Sequence, residues 1–340
     1  MTRYILRRVL QAIPTFFGVT IISFLLVISS PGDPVALLTF SPSQDPEVVE
    51  QLRRRLGLDR PAGEQYIYWL IGNDWVNLDL DGDGIKETQG DRQGLLRGDL
   101  GTSIRQRTSV LSLIGARILP TLQLTVSALL VGYIVGIILG VVSAVYHGSI
   151  IDQVVRLVSV VGNAVPAFWL GLLFIILFSV NARILPMSGR QDIGTRGFDL
   201  LDQLEHMIMP VIVLSLPIIA NISRYTRTSV LEVLGQDYIR TARAKGLPQR
   251  TIMWKHVIRN ALIPVATFLG QAVGGLLGGT VIVEQVFSWP GLGKLVIDAV
   301  FNRDYPIVMG SVVIGAILFI IGMLISDLLY AVLDPRIRLE

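Results

Sequence analysis

Cysteine is absent from the 340 residues. That excludes disulfides and thiolate metal centres. Histidine is scarce: His147, His206 and His256 stand in separate stretches. Neither H-E-x-x-H nor G-x-S-x-G occurs, so zinc-protease and serine-hydrolase sites lack their signatures. Charge is also scarce, at 16% Asp, Glu, Lys and Arg against about 25% in a soluble domain. The net charge of +3 offers no concentrated basic face for nucleic acid. A nucleotide-binding P-loop is missing too. Gly291-Leu292-Gly293-Lys294 is followed by Leu295, and Ser288 stands where the first glycine belongs.

What fills the chain instead is long runs without charge, with 51% hydrophobic residues and a mean hydropathy of +0.60. A bilayer core needs about 20 consecutive apolar residues per helix. Six runs meet that need: Val9–Ser29, Leu119–Tyr146, Leu157–Val180, Met207–Ser223, Ala261–Val283 and Ile307–Leu333. Asp327 is the one charge inside any of them, near one end. The first run follows Arg3, Arg7 and Arg8 as a signal peptide would, but it is too long and lacks a small-x-small cleavage site before Pro31. It reads as an uncleaved helix. Pro120 fits the first turn of the second span. Pro166, Pro210 and Pro217 are candidate kinks in spans three and four. Gly270, Gly274, Gly275, Gly278 and Gly279 form G-x-x-x-G pairs in span five, the spacing for close helix approach.

Basic residues in short connections set the orientation. With the N-terminus inside, segments 1–8, 147–156, 224–260 and 334–340 carry 14 basic residues against 5 acidic, and the short outer loops 181–206 and 284–306 carry 5 basic. The fold class is therefore an all-α integral membrane protein with six transmembrane helices and both termini cytoplasmic. Residues 1–29 are the cytoplasmic N-terminus and first span. Residues 30–118 are an extracytoplasmic segment. Residues 119–340 are a five-helix core with a cytoplasmic loop at 224–260.

The outer segment begins with a predicted helix. Asp45 caps it, Pro46 takes its first position, Arg53 to Arg55 suit its C-terminal end and Gly57 stops it. Tyr66, Tyr68 and Trp69 are aromatics suited to the membrane interface. The stretch Asn77 to Asp91 contains D-x-D-x-D-G, the first half of an EF-hand loop. Calcium wants six to eight oxygens. Asp79, Asp81, Asp83, the Ile85 carbonyl and Glu87 supply a partial set, but position twelve is Gly90. A structural calcium site and a solvated acidic hairpin both remain open.

In the long cytoplasmic loop, Gln236 to Lys245 reads as a helix, Gly246-Leu247-Pro248 as a break, and Gln249 to Asn260 as a second helix leading into span five. Anionic lipid would explain the charge, but not the compact helix-break-helix or Tyr238. The run Tyr238-Ile239-Arg240-Thr241-Ala242-Arg243-Ala244-Lys245-Gly246, followed by Asn260-Ala261-Leu262-Ile263-Pro264, resembles the E-A-A-x-x-x-G loop of ABC importer permeases. Arg240-Thr241 replaces the leading Glu-Ala, and the distance to Pro264 is longer, both as in the dipeptide/oligopeptide/nickel branch. Tyr4 to Arg8, Gly98 to Ser103, Phe287 to Gly293, Arg303 to Pro306 and Asp334 to Arg336 extend the resemblance over almost the whole chain. The Asn77 to Asp91 stretch looks like an insertion.

The resemblance implies a type I ABC importer permease fold in the inner membrane of a prokaryote. It implies one half of a pathway for dipeptides or oligopeptides, working by alternating access, with nickel, glutathione or oligosaccharide as alternative cargoes. The chain would not be an enzyme and would need no cofactor of its own; two separate ATP-binding subunits would use the ATP. Asp237, Tyr238, Arg240, Thr241, Ala242, Arg243, Ala244, Lys245 and Gly246 would couple to them. Phe287, Trp289, Pro290, Gly291, Arg303 and Asp304 would belong to an outer face that meets an extracytoplasmic substrate-binding protein. A second related permease would complete the membrane core, as a heterodimer rather than a homodimer. An ion-driven transporter or an intramembrane enzyme would place ionisable or catalytic groups at mid-membrane, where this sequence has none. A non-transporting scaffold would not need the helix-break-helix loop.

Overall fold

The computed structural model describes residues 2–30, 46–79, 84–192, 194, 197 and 199–333; the side chains of 2–5, 9, 46, 48, 52, 55, 56, 266–279 and 325–333 lie outside that description. Two compact units emerge. One is built mainly on Pro120–Lys294, the other on Arg7–Leu119 with Leu295–Ile317.

Helix α1 runs Thr2–Ile28, α2 Pro46–Leu56 and α3 Ala62–Ile71. Gly57, at φ +71°, ends α2 as expected, and Leu58 N–H closes the turn onto the Arg53 carbonyl. Its expected cap, Asp45, lies outside the described residues. The aromatics of α3 are not simply interfacial. Tyr66 and Trp69 stack on Phe24 of α1, with centroids 5.3 and 6.3 Å away, and the Tyr66 and Thr20 hydroxyls hydrogen-bond at 3.0 Å. Beyond α3, Arg97 grips both oxygens of Asp74 at 2.7 and 2.6 Å. That bond holds the Asp74 carboxyl below the ordinary carboxylate range. Strands β1 (Asn77–Leu78) and β2 (Thr88–Gln89) pair antiparallel, Asn77 with Gln89 and Leu78 with Thr88, and so close the base of the acidic stretch.

The long helices follow. Helix α4 is Val110–Val145, α5 Ile150–Ala164, α6 Ala167–Phe174 with a π-helical continuation to Asn181, and α7 Leu200–Leu234. Helix α4 starts well before Pro120, which lies inside it rather than in its first turn. The reason is that Val110 and Ile114 are already fully buried and nucleate the helix by tertiary packing. The α5 and α6 axes meet at 102°. Pro166 forces this, because its ring disfavours helical backbone at Val165, which is extended at ψ 124°. Helix α7 carries Pro210 and Pro217 within one continuous helix.

Among the described residues, four helices are long and apolar enough to cross a membrane: Leu6–Ile28, Val110–Val145, Leu200–Leu234 and Tyr305–Leu324. The bent α5–α6 pair makes up to five. The expected fifth span is helical from Arg259 to Val286, but its glycine pairs fall among the undescribed side chains.

A different glycine stripe does bring helices together. Gly132, Gly136 and Gly140 of α4 face α7. A methyl group at Gly132 would lie 2.6 Å from Ile218 Cγ2, and at Gly140 2.6 Å from the Ser223 carbonyl oxygen. These are contacts that hydrogen tolerates and carbon does not, the small-x-x-x-small solution to packing without a hydrophobic driving force. Asp152, 1% exposed, fastens the other side of α7. It accepts from Arg227 of α7 at 2.7 and 2.9 Å, from Ser143 Oγ at 2.6 Å and from Gly148 N at 3.0 Å. Its position in the first turn of α5 also suits the helix dipole.

Gly140→Ala is expected to cost roughly 1–3 kcal/mol by overpacking, read as a lower unfolding midpoint of the detergent-purified chain. Ile138→Ala, on the 55% exposed face of the same helix, is expected to leave the midpoint nearly unchanged.

Candidate functional site

After α7 the chain turns through Gly235 into α8 (Asp237–Ala244), then through Gly246 into α9 (Gln249–Thr251), a π-helical segment Ile252–Ile258 and α10 (Arg259–Val286). Gly246 has φ +74°, the left-handed geometry that stops a helix. Leu247 N–H and Gly246 N–H then bond back to the Ala242 and Arg243 carbonyls. The expected helix-break-helix is therefore present, and its second helix leads into α10 as expected, with Pro264 inside that helix.

Helix α8 is sharply two-faced. Ile239 and Ala242 are 0% and 7% exposed, packed in a cluster with Ala144, Val230, Ile252 and Val257. Burying Ile239 alone is worth about 1.5–3 kcal/mol. Asp237, Tyr238, Arg240, Thr241, Arg243, Ala244, Lys245 and Gly246 are exposed. Of the nine residues expected to couple to a partner, Ala242 alone faces inward, where its small side chain lets α8 lie close on the bundle. Asn260 Nδ2 donates to the Tyr238 hydroxyl at 3.3 Å, tying the exposed ring to the start of α10.

The Phe287 to Gly293 motif is a buried turn rather than an open aromatic surface. Phe287 is 2% exposed and Trp289 0%. The Trp289 indole N–H donates to the Pro120 carbonyl at 3.0 Å, so its polar edge is satisfied inside the protein. Ser288 takes φ +48°. The turn is organised by Glu284, itself 0% exposed. Glu284 accepts from Thr121 Oγ1 at 2.7 Å and from Lys294 N at 2.9 Å, and Thr121 Oγ1 in turn accepts from Leu292 N at 2.7 Å. Neither Glu284 nor Thr121 stands out in sequence, since each needs the fold to bring its partner near. Gly291 packs directly on the Glu284 carboxylate.

In the second unit, helix α11 (Leu292–Phe301) leads to Arg303, at φ +52°, and to Asp304, before α12 (Tyr305–Leu333). Asp304 is 2% exposed. It accepts from Ser103 Oγ at 2.6 Å and from the backbone N–H groups of Ile104 and Arg105, each at 3.2 Å. Two motifs that are 200 residues apart thus form one clasp. Phe287, Trp289, Gly291 and Asp304 are buried, while Pro290 and Arg303 are partly exposed.

In the acidic stretch, Asp81 and Asp83 lie outside the described residues. The Asp79 carboxylate accepts from Gly84 N, five residues on, at 3.0 Å. Ile85 and Glu87 are exposed. Among the described residues, the group with metal-ligand chemistry is Asp192, Asp202 and His206. There His206 Nδ1 is held by the Asp202 carbonyl at 2.9 Å, which makes the ring a brace within α7.

Gly291→Ala is expected to push a methyl group into the Glu284 carboxylate and to cost roughly 1–3 kcal/mol of stability, read as a lower unfolding midpoint. An unchanged midpoint would separate Glu284 from the turn.

Two family profiles cover nearly the whole chain. "Binding-protein-dependent transport system inner membrane component" matches residues 136–339, and the N-terminal membrane component of the same systems matches 1–125. The oligopeptide transport system permease protein AppB of Bacillus subtilis is 42% identical over 343 residues, covering 99% of this chain and all of the relative. The dipeptide transport system permease protein DppB of Escherichia coli K12 is 40% identical, covering 99% of each. The glutathione transport system permease protein GsiC of the same strain is 37% identical, covering 99% of each. The inward-facing MetNI methionine ABC transporter structure aligns with a TM-score of 0.53 at 19% identity, over 66% of this chain and 97% of that one, and it supports the fold. The chain belongs to the binding-protein-dependent transport system inner membrane component family, and is an all-α, multi-pass inner-membrane permease of the ABC importer class.

Proposed function

We propose that this chain forms half of the translocation pathway of an ATP-driven peptide importer, with α8 as the element on which separate ATPase subunits act. The observation that carries the coupling assignment is the division of α8. Its inner face is bolted to the bundle by Ile239 and Ala242, and eight neighbouring residues are left exposed. A short helix held in this way passes a rigid-body displacement to α7 and α10, where a flexible loop would absorb it. The absence of a P-loop in the sequence supports ATP hydrolysis on other polypeptides. The peptide assignment rests on the oligopeptide and dipeptide permeases at 42% and 40% identity. The glutathione permease at 37% favours glutathione, itself a small peptide, as the alternative cargo.

In this reading six spans cross the bilayer with both termini and α8 in the cytoplasm, as the basic residues favour. A second related permease supplies the other half of the pathway. A substrate-binding protein delivers cargo to the opposite face. The acidic stretch Asp79 to Glu87 binds calcium as a structural ion, closed at its base by β1 and β2.

Gly246→Pro cannot adopt φ +74°, since proline is fixed near −65°. It is expected to abolish uptake while membrane insertion persists; normal uptake by this variant would remove the coupling role. Arg243→Glu, on the exposed face, is expected to lower uptake by about tenfold through a disrupted docking contact. For the ion, wild type is expected to gain thermal stability with calcium, and Asp81→Ala with Asp83→Ala to lose that gain. A wild type indifferent to calcium would reject the site.

A further inference from the structure

Between α5 and α7 lies a cavity of about 490 Å³, within the size range of small-ligand sites. Its lining has an unusual charge. Arg156, Arg224 and Arg227 all border it, and no acidic residue does. Arg227 is committed, since both of its bonds go to the buried Asp152. Arg156 reaches the same carboxylate only at 3.7 Å. Asp152 is thus shared by Arg227 and Arg156, and among the described residues no carboxylate pairs with Arg224.

Arg224 is held ready rather than neutralised. Its Nη2 donates to Asn221 Oδ1 at 2.8 Å, and the same oxygen accepts from Asn163 Nδ2 at 3.0 Å. A neutral amide thus fixes the guanidinium while leaving its charge and most of its five donors unspent. Deeper in the wall, Ser159 and Ser223 hydroxyls bond each other at 2.8 Å. Val155, Val160 and Ala164 supply its apolar part, beside the hydroxyls of Ser143 and Thr228. A cavity with eight polar and three apolar lining residues, among them a forked cation held by a neutral amide, is chemistry for a carboxylate next to a short organic body.

We propose that this cavity receives the C-terminal carboxylate of the peptide in transit, with Arg224 as the principal donor and Arg156 as the second. The inference rests on the peptide-import reading. It adds to that reading a specificity for free-acid termini within the permease, apart from any preference of a binding protein.

The test uses the complete importer in proteoliposomes with a short peptide and its C-terminal amide. The ratio of acid to amide uptake is compared between wild type and Arg224→Gln, so that a binding protein's own preference cancels. The amount of assembled complex is measured alongside. Arg224→Gln is expected to lower acid uptake by about tenfold, the loss of one charge-assisted contact, and to leave amide uptake near wild type. Arg224→Lys is expected to restore part of the ratio, and Arg156→Gln to shift it in the same direction by less. An equal loss for both peptides, or no loss, overturns the proposal. So does a loss that follows the anionic lipid content of the vesicles rather than the peptide terminus, which would assign the cavity to a phosphate headgroup. If wild type takes up neither peptide, the peptide reading fails first and takes this inference with it. If wild type takes up both and the ratio is unmoved by the variants, the inference fails alone.

Discussion

A carboxylate buried in an apolar protein has to be saturated with donors, because an unpaired one costs several kcal/mol. Asp152, Glu284 and Asp304 are 1%, 0% and 2% exposed, and each meets the demand by gathering donors from distant parts of the chain. Asp152 joins the α4–α5 turn to α7. Glu284 joins the end of α10 to Thr121 and to the turn that follows it. Asp304 closes the Ser103 loop against the start of α12. Regular helices satisfy their own backbone in a membrane, but connections do not. The three carboxylates stand at connections, and so determine where the irregular segments lie.

Function follows from which pieces are fixed in this way and which are left open. The turn after α10 and the Ser103 loop are locked and buried, so they act as scaffold. Helix α8 is locked on one side and exposed on the other, a geometry for receiving force. The arginine-lined cavity sits between α5 and α7, and α7 carries the strand of contacts from Asp152 through Arg227 down to Val230, which packs against α8. A displacement of α8 therefore acts on the same helix that presents Arg224 to the cavity.

Much of this was legible in sequence. Charge-free runs marked the long helices, because the bilayer imposes their length. Gly246 and Pro248 marked the break after α8, because backbone geometry there is a local property. Pro166 marked a kink, although its 102° size depends on packing. What was not legible depends on burial. The Phe287-Ser288-Trp289 run carries the composition of an interfacial element, and only the fold shows that its indole bonds to Pro120. Pro120 resembled a helix start because proline suits a first turn, yet Ile114 and Val110 are buried and extend α4 backwards. The glycine stripe that matters among the described residues is Gly132, Gly136 and Gly140 on α4. Sequence spacing could not separate it from the span-five glycines, since only the facing helix decides which stripe is used.

The natural absence of cysteine allows a direct test of the coupling assignment. Tyr238→Cys would introduce a single thiol on the exposed face of α8, and a reagent carrying one maleimide and one photoreactive group would be attached to it in the assembled importer in its membrane. The account predicts a crosslink from this position to an ATPase subunit, with a yield that changes between nucleotide-free and ATP-bound states. A thiol that is accessible and labelled, yet crosslinks to no ATPase in either state, would contradict it.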